Sequence, residues 1–182
     1  GMPSFVALLR GVNVGKARRV PMAELRALLR ALGYTDVATL LNSGNAVFRA
    51  TRGTPVQHAT RITSAIAARL KVEVPVIVKS ASELSAIVSE NALAEQAQNH
   101  SRLLVAFVQD PKLLPGLAAI EPLLAPSEQF MVGQLAAYLH CATGMRESKA
   151  GEALLGKAGK AATTRNWATV LKLQALASRP DV

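Results

Sequence analysis

VATLLNSGNAVFRA, residues 37–50, holds two short runs of strand character, Val37 to Leu41 and Ala46 to Ala50, parted by Asn42-Ser43-Gly44-Asn45. Asn and Gly accept the positive φ that tight turns between adjacent antiparallel strands demand, so the stretch reads as a hairpin. Upstream, Ser4 to Arg10 (SFVALLR) is a short apolar run that predicts a buried strand. Between them, Pro21 opens a helical pattern carried by Met22, Leu25, Leu28, Leu29 and Leu32 and ended by Gly33. Downstream, Val56 to Leu70 carries Ile62, Ile66 and Leu70 at helical spacing, and Val72 to Val78 predicts another strand. The order is βαββαβ. In a ferredoxin-like arrangement such a chain packs two helices on one face of a four-stranded antiparallel sheet, with right-handed crossovers.

The second half repeats that order less cleanly. A helix is expected over Ser82 to Val88, capped by Ser82, followed by a polar loop from Glu90 to Ser101. A strand over Arg102 to Gln109, a short helix over Pro111 to Ala119 and a hairpin of Gln129–Val132 with Leu135–His140 around Gly133 come next. Helices over Ser148 to Leu155 and Thr164 to Ala177 close the chain. The fold class expected is α+β: two ferredoxin-like halves, residues 1–80 and 81–182, with mainly antiparallel sheet and a helical C-terminus.

Half of the 182 residues are apolar, enough to build a core. The apolar runs fall well short of the roughly 18 to 20 residues that cross a bilayer, and the first is followed by Arg10 rather than preceded by a basic segment, so neither a membrane span nor a signal peptide is expected. Cys141 is alone, which rules out an internal disulfide and a cysteine zinc cluster; the cytoplasm is the expected compartment.

The formal charge of +9 is concentrated. Residues 10–30 hold Arg10, Lys16, Arg18, Arg19, Arg26 and Arg30 against Glu24 alone. Residues 146–172 hold Arg146, Lys149, Lys157, Lys160, Arg165 and Lys172 against Glu147 and Glu152. Residues 31–145 sum to zero, with eight charges of each sign. A solvated basic face explains any single run; two separate runs point to an anionic partner.

Within the first run, Gly11-Val12-Asn13-Val14-Gly15-Lys16 joins a strand to a helix, the setting in which backbone N–H groups converge on phosphate. It is not a Walker A loop, because three residues separate its glycines and Ala17 follows Lys16, and it lacks the third glycine of a dinucleotide fingerprint. A structural turn stabilised by Asn13 is the first reading and an anion loop the second. Turn chemistry likewise explains Asn42 to Asn45 unless its amides face the basic loop. In Thr163-Thr164-Arg165-Asn166-Trp167 either threonine is expected to cap the last helix, with Arg165 and Asn166 in its first turn, where an anion would be welcome. His58, His100 and His140 lack metal-ligand spacing and are expected at the surface or in turns, and Cys141 is expected to be a buried small hydrophobe.

LLRGVNVGKARRVPMAELRALLRALGY (residues 8–34), LLNSGNAVF (40–48) and TTRNWATVLKL (163–173) together resemble the bacterial family called domain of unknown function 1697, over essentially the whole chain. The resemblance implies paired ferredoxin-like halves and no known activity. It also implies a further glycine in the first loop, where this chain has Lys16.

The leading expectation is an anion-binding protein. Its candidate residues are Arg10, Asn13, Gly15, Lys16, Arg18 and Arg19 in the first basic segment and Lys149, Arg165 and Asn166 in the second, with Asn42, Ser43, Gly44 and Asn45 as a turn beside them. The partner is a phosphate-bearing small molecule or nucleic acid. The alternatives are an enzyme that holds a small phosphorylated or carboxylated substrate with Lys16, Lys149 and Arg165, and an assembly module for an acidic partner or a second copy. No catalytic residue is assigned, no metal or cofactor is expected, and the oligomeric state stays open.

Overall fold

The computed structural model describes residues 2–16 and 18–180. The chain forms two compact units, Gly1–Leu84 with Leu173–Val182, and Ser85–Lys172. The boundary expected after residue 80 thus falls after Leu84, and the segment from Leu173 onward, expected in the second half, joins the first.

The first unit contains β1 (Ser4–Leu9), α1 (Met22–Ala31), β2 (Thr35–Leu40), β3 (Asn45–Arg49), α2 (Pro55–Leu70) and β4 (Val76–Ser80). Its sheet has the order β2-β3-β1-β4 and every pairing is antiparallel. β1 is central, and all six of its residues are buried, as its unbroken apolar sequence requires. Phe5, Ala7 and Leu9 face a core completed by Leu25, Leu28 and Leu29 of α1 and Ile62 and Ile66 of α2. Each such large side chain contributes about 1.5–3 kcal/mol on burial. Thr54 caps α2 through a reciprocal pair: its hydroxyl accepts from the Gln57 N–H at 3.2 Å, and its own N–H donates to Gln57 Oε1 at 2.9 Å. Lys71, at φ 59°, ends α2 in the left-handed region, and Pro75 then delays the next strand, so Val72 and Val74 pack on the core from a loop and β4 starts at Val76 rather than Val72.

Arg49 ties the tail to this unit. Its Nε lies 3.0 Å from Asp36 Oδ2, Nη1 donates to the Met2 carbonyl at 2.9 Å, and Nη2 donates to the Arg179 carbonyl. Arg179 in turn donates to the Asp36 carbonyl. Asp36 sits in a register shift of β2 with φ 48°, and the irregularity occurs where its carboxylate meets Arg49.

α3 (Ala81–Glu90) and α5 (Trp167–Ala177) each contain a boundary between units. The second unit holds β5 (Leu103–Val108), β6 (Gln129–Val132), β7 (Ala136–His140), α4 (Lys149–Leu155) and β8 (Ala162–Asn166). Its antiparallel order, β6-β7-β5-β8, repeats the plan of the first. The difference lies after β5. Where the first unit has α1, the second has a 3₁₀ segment, Pro111–Leu123, interrupted by Pro115 and Pro122. Each proline removes an N–H and clashes with the preceding turn, so the expected α-helix over 111–119 is replaced by the tighter, poorer geometry. Leu114, Leu117 and Ile120 still reach a core with Leu104, Ala106, Val108, Leu139 and Leu154.

Two expected caps move. Ser80, not Ser82, caps α3: its Oγ accepts from the Glu83 N–H at 3.1 Å, and Glu83 Oε1 accepts from the Ser80 N–H at 2.9 Å. Thr164, Arg165 and Asn166, expected in the first turns of the last helix, belong to β8 instead. The two β-branched threonines favour a strand, and Phe107 and Ala106 of β5 pair with them. Among the described residues no helix is long and apolar enough to cross a membrane.

Candidate anion site

The Gly11–Val20 loop is shaped by backbone that most residues avoid. Gly11, Asn13, Gly15 and Arg18 all have positive φ, at 66°, 58°, 58° and 46°. Glycine pays nothing for this and asparagine little, whereas Arg18 is an outlier held by its surroundings. Asn13 is the brace. Its N–H donates to the Arg18 carbonyl at 3.1 Å, its Oδ1 accepts from the Val20 N–H at 2.9 Å, and its Nδ2 donates to the Val20 carbonyl at 2.9 Å. The same Nδ2 donates to the Asn42 carbonyl at 2.7 Å, which brings the β2–β3 turn against the loop. Asn13 therefore spends its amide on structure.

The turn is locked from its own side. Leu9 N–H donates to the Gly44 carbonyl at 2.9 Å, and a Cβ at Gly44 (φ 89°) would lie 2.7 Å from Leu9 Cβ and 2.8 Å from Val12 Cγ2. Asn45 is buried and donates to the Leu40 carbonyl and Ser43 Oγ, both at 2.8 Å. Asn42 and Ser43 remain exposed at the edge of the loop.

Four cations share this place. Lys16, Arg18 and Arg19 are exposed and Arg10 is half-buried. Arg19 folds back so that Nη2 donates to the Gly15 carbonyl at 2.5 Å. Arg18 Nη1 lies over Gly11, 3.6 Å from where a Cβ would stand. Partial burial, and then the charge of Arg18, pull Arg10 below the ordinary arginine value. Arg18 also lines a small cavity of about 270 Å³ with Thr63, Glu73, Val74 and Pro75.

The second basic segment divides differently. Lys149 is exposed at the start of α4, where Ser148 Oγ caps the helix by accepting from the Gly151 N–H at 2.9 Å. Arg165 is buried opposite Val105, donates from Nη1 to the Thr164 carbonyl at 3.0 Å, and is pushed down to about 10 by burial. Asn166 Oδ1 accepts from the Thr169 N–H at 2.9 Å and so caps α5, the role expected of a threonine. The loop residues belong to the first unit; Lys149, Arg165 and Asn166 belong to the second.

Other side chains depart from expectation or meet it. His58, expected at the surface, is 1% exposed, with ring centroids of Phe5, Tyr34 and Phe48 at 4.6, 5.1 and 5.6 Å. It precedes Ile62 and Ile66 at spacings of four on α2, so the apolar face of that helix carries it inward. Cys141 is buried 3.5 Å from Ser148 Oγ, and burial raises its thiol, which makes it a poor nucleophile. Sequence reasoning missed a carboxylate receptor in the second unit. Glu90 accepts from the N–H groups of Gln134 (2.5 Å) and Leu135 (3.3 Å) and from the Tyr138 hydroxyl (2.7 Å). The polar loop expected from Glu90 to Ser101 concealed it, since nothing local marks Glu90 as the partner of a turn 44 residues away.

Comparison with known proteins gives a likeness of fold. The conserved bacterial protein SP0830 from Streptococcus pneumoniae is similar with a TM-score of 0.81 and 24% identity, over 98% of this chain and 100% of that one. Protein BT0572 from Bacteroides thetaiotaomicron shares 12% identity over 94% of this chain and 96% of its own, with a TM-score of 0.23. No curated protein matches the sequence. Residues 2–138, which carry both the basic loop and the turn that Asn13 fastens to it, match the family described as "Protein of unknown function (DUF1697)", and the chain belongs to that family.

Proposed function

We propose that the protein binds a phosphate-bearing ligand at the Gly11–Val20 loop. The observation that carries this reading is the gathering of cations on one braced loop: Arg10, Lys16, Arg18 and Arg19 lie on or beside a backbone that Asn13 fixes, with Arg18 in a conformation arginine rarely adopts. Like charges gathered on one loop favour a bound oxyanion, and arginine's planar fork suits phosphate. Lys16 and Arg19 add positive charge at the exposed rim.

A small phosphorylated molecule fits better than single-stranded nucleic acid. Phe5, Phe48, Phe107, Tyr34, Tyr138 and Trp167 are buried and Phe130 is half-buried, which leaves none of the Phe, Tyr or Trp rings open for a base to stack on. The same reading places the chain in the cytoplasm, with Cys141 a reduced, buried thiol.

Sodium pyrophosphate titrated in a thermal-shift assay tests the proposal. A ligand at a hundred times its Kd stabilises by about 2.7 kcal/mol, and the shift is expected to vanish in Arg18→Ala. No shift at high excess, or a shift that Arg18→Ala leaves intact, would defeat it. Labelled oligonucleotide titrated at two salt concentrations separates the nucleic-acid version, for which strong, salt-sensitive affinity is required.

A further inference from the structure

We propose that the corner between β3 and α2 is a second binding site, for a small molecule with an anionic head and an apolar body. A cavity of about 510 Å³ lies there, within the size range of small-molecule sites. Its wall carries Arg52, Arg61 and Val56, and His58 reaches it from below Gly53.

Charge sets the head group. Between Asp36 and Glu73 the sequence has, besides Arg49, which Asp36 pairs, the basic residues Arg52, Arg61, Arg69 and Lys71, and not one acid. A segment-wide sum over residues 31–145 cancels this run against acids elsewhere. The first turn of the 16-residue α2 likewise lacks an acid, so the positive end of the helix is not neutralised from within. Arg61 is held in place: Nη2 donates to the Leu32 carbonyl at 2.9 Å, and its guanidinium lies 5.2 Å from the Tyr34 ring centroid. Arg52 is exposed at the rim.

His58 supplies the second, independent signal. The other polar groups on the wall are spoken for: Gln57 and Thr54 cap each other, and Thr60 Oγ1 donates to the Val56 carbonyl at 3.1 Å. His58 Nε2, in contrast, is buried with no hydrogen-bond partner. The backbone of Arg52 and Gly53 bonds the ring weakly and favours its charged form, but leaves Nε2 without a partner of good geometry. Tyr34 Oη, 3.4 Å from Arg61 Nη1, accepts from that arginine, which directs its own proton to His58 Nδ1 at 2.7 Å. This network assigns the remaining imidazole proton to Nε2, making it a donor. A Cβ at residue 53 would stand 2.8 Å from Nε2, so only glycine lets the ring edge come up under the loop. Arg52 and Arg61 make the wall of the cavity cationic, which favours a ligand that brings acceptors. Val56, 56% exposed, offers the apolar contact for its body.

The site shares no residue with the basic loop, and the test separates the two. Phenyl phosphate, with inorganic phosphate as the smaller probe, is titrated into the full chain by calorimetry, and the ¹⁵N resonances of His58 are followed in parallel. Phenyl phosphate is expected to bind more tightly than phosphate and to move the Nε2 resonance, and in Arg52→Ala that His58 shift is expected to need about tenfold or more ligand. Absence of binding at millimolar phenyl phosphate overturns the proposal. So does binding that leaves His58 unmoved, or a His58 shift that Arg52→Ala leaves intact. The His58 signal is read in the unmutated protein, so the result does not hang on how a variant folds.

Discussion

The two hairpin turns occupy the same place in their sheets and are fastened in opposite ways. In the first unit the β2–β3 turn offers a carbonyl, Asn42 O, and receives the Asn13 amide. In the second the β6–β7 turn offers the N–H groups of Gln134 and Leu135 and receives the Glu90 carboxylate. The protein's two tyrosines follow the same division. Tyr34 meets His58 and Arg61, whereas Tyr138 donates to Glu90 and to the Ile87 carbonyl and is raised by burial and then by Glu90. One plan thus carries two electrostatic characters. The second unit fills the donors of its turn with its own acid, and the first gathers donors and cations whose acceptors are mostly backbone oxygens. That contrast is the physical reason for looking to the first unit for anion binding.

The sharpest way to break the comparison is at the first turn. Gly44→Ala has to fit a Cβ at 2.7 Å from Leu9 Cβ while holding φ 89°, so the turn must lift from the loop. Overpacking and left-handed strain together predict a loss of about 3 kcal/mol or more, read as a lower urea midpoint. An unchanged midpoint would mean that the turn does not seat against the loop. The second turn answers to charge. Glu90→Gln keeps the shape but weakens charge-assisted bonds to two N–H groups and to the buried Tyr138 hydroxyl, with an expected cost of about 2 kcal/mol. A loss as small as that of a surface acid, under about 0.5 kcal/mol, would remove the distinction between the turns.

Much of this was legible because local chemistry coincides with tertiary need. The Asn42–Asn45 turn, the helix stop at Gly33 and the apolar faces of α1 and α2 are each decided within a few residues, and the first antiparallel sheet follows from them. The misses share a cause. Pro115 and Pro122 convert a helical pattern to 3₁₀, Thr163 to Asn166 form a strand only because β5 is there to pair with, and Arg165 is buried by that pairing. In the site, the sequence marks the cations of the first loop and Asn13 as the stabiliser of its turn, but not the bond that Asn13 makes to a carbonyl 29 residues away. The acid-free run around α2 is plain in the sequence, but acids on either side of it cancel its charge over residues 31–145.

The smallest effect concerns how the first unit tolerates a titratable ring. His58 is lowered by burial and then by the neighbouring Arg61, and the nearby backbone only partly offsets this. In the unfolded chain the ring titrates near its ordinary value of about 6.5. Above that pH both states are neutral at this residue, and it adds no slope. As the pH falls below about 6.5 the unfolded chain takes up the proton before the native ring does, so stability declines until the lowered native value is passed. Carboxylates add their own slope on acidification, and His58→Phe, which suits a ring among Phe5, Tyr34 and Phe48, leaves that contribution in place. Urea midpoints of the two proteins at pH 8, 7, 6 and 5 should therefore differ by a constant above about 6.5, with the unmutated protein losing ground relative to the variant below it. A difference that stays constant down to pH 5 would mean that the native ring accepts its proton as freely as the unfolded one. The cationic surroundings of Tyr34 would then impose no penalty, and the two tyrosines would cease to mark two kinds of interior.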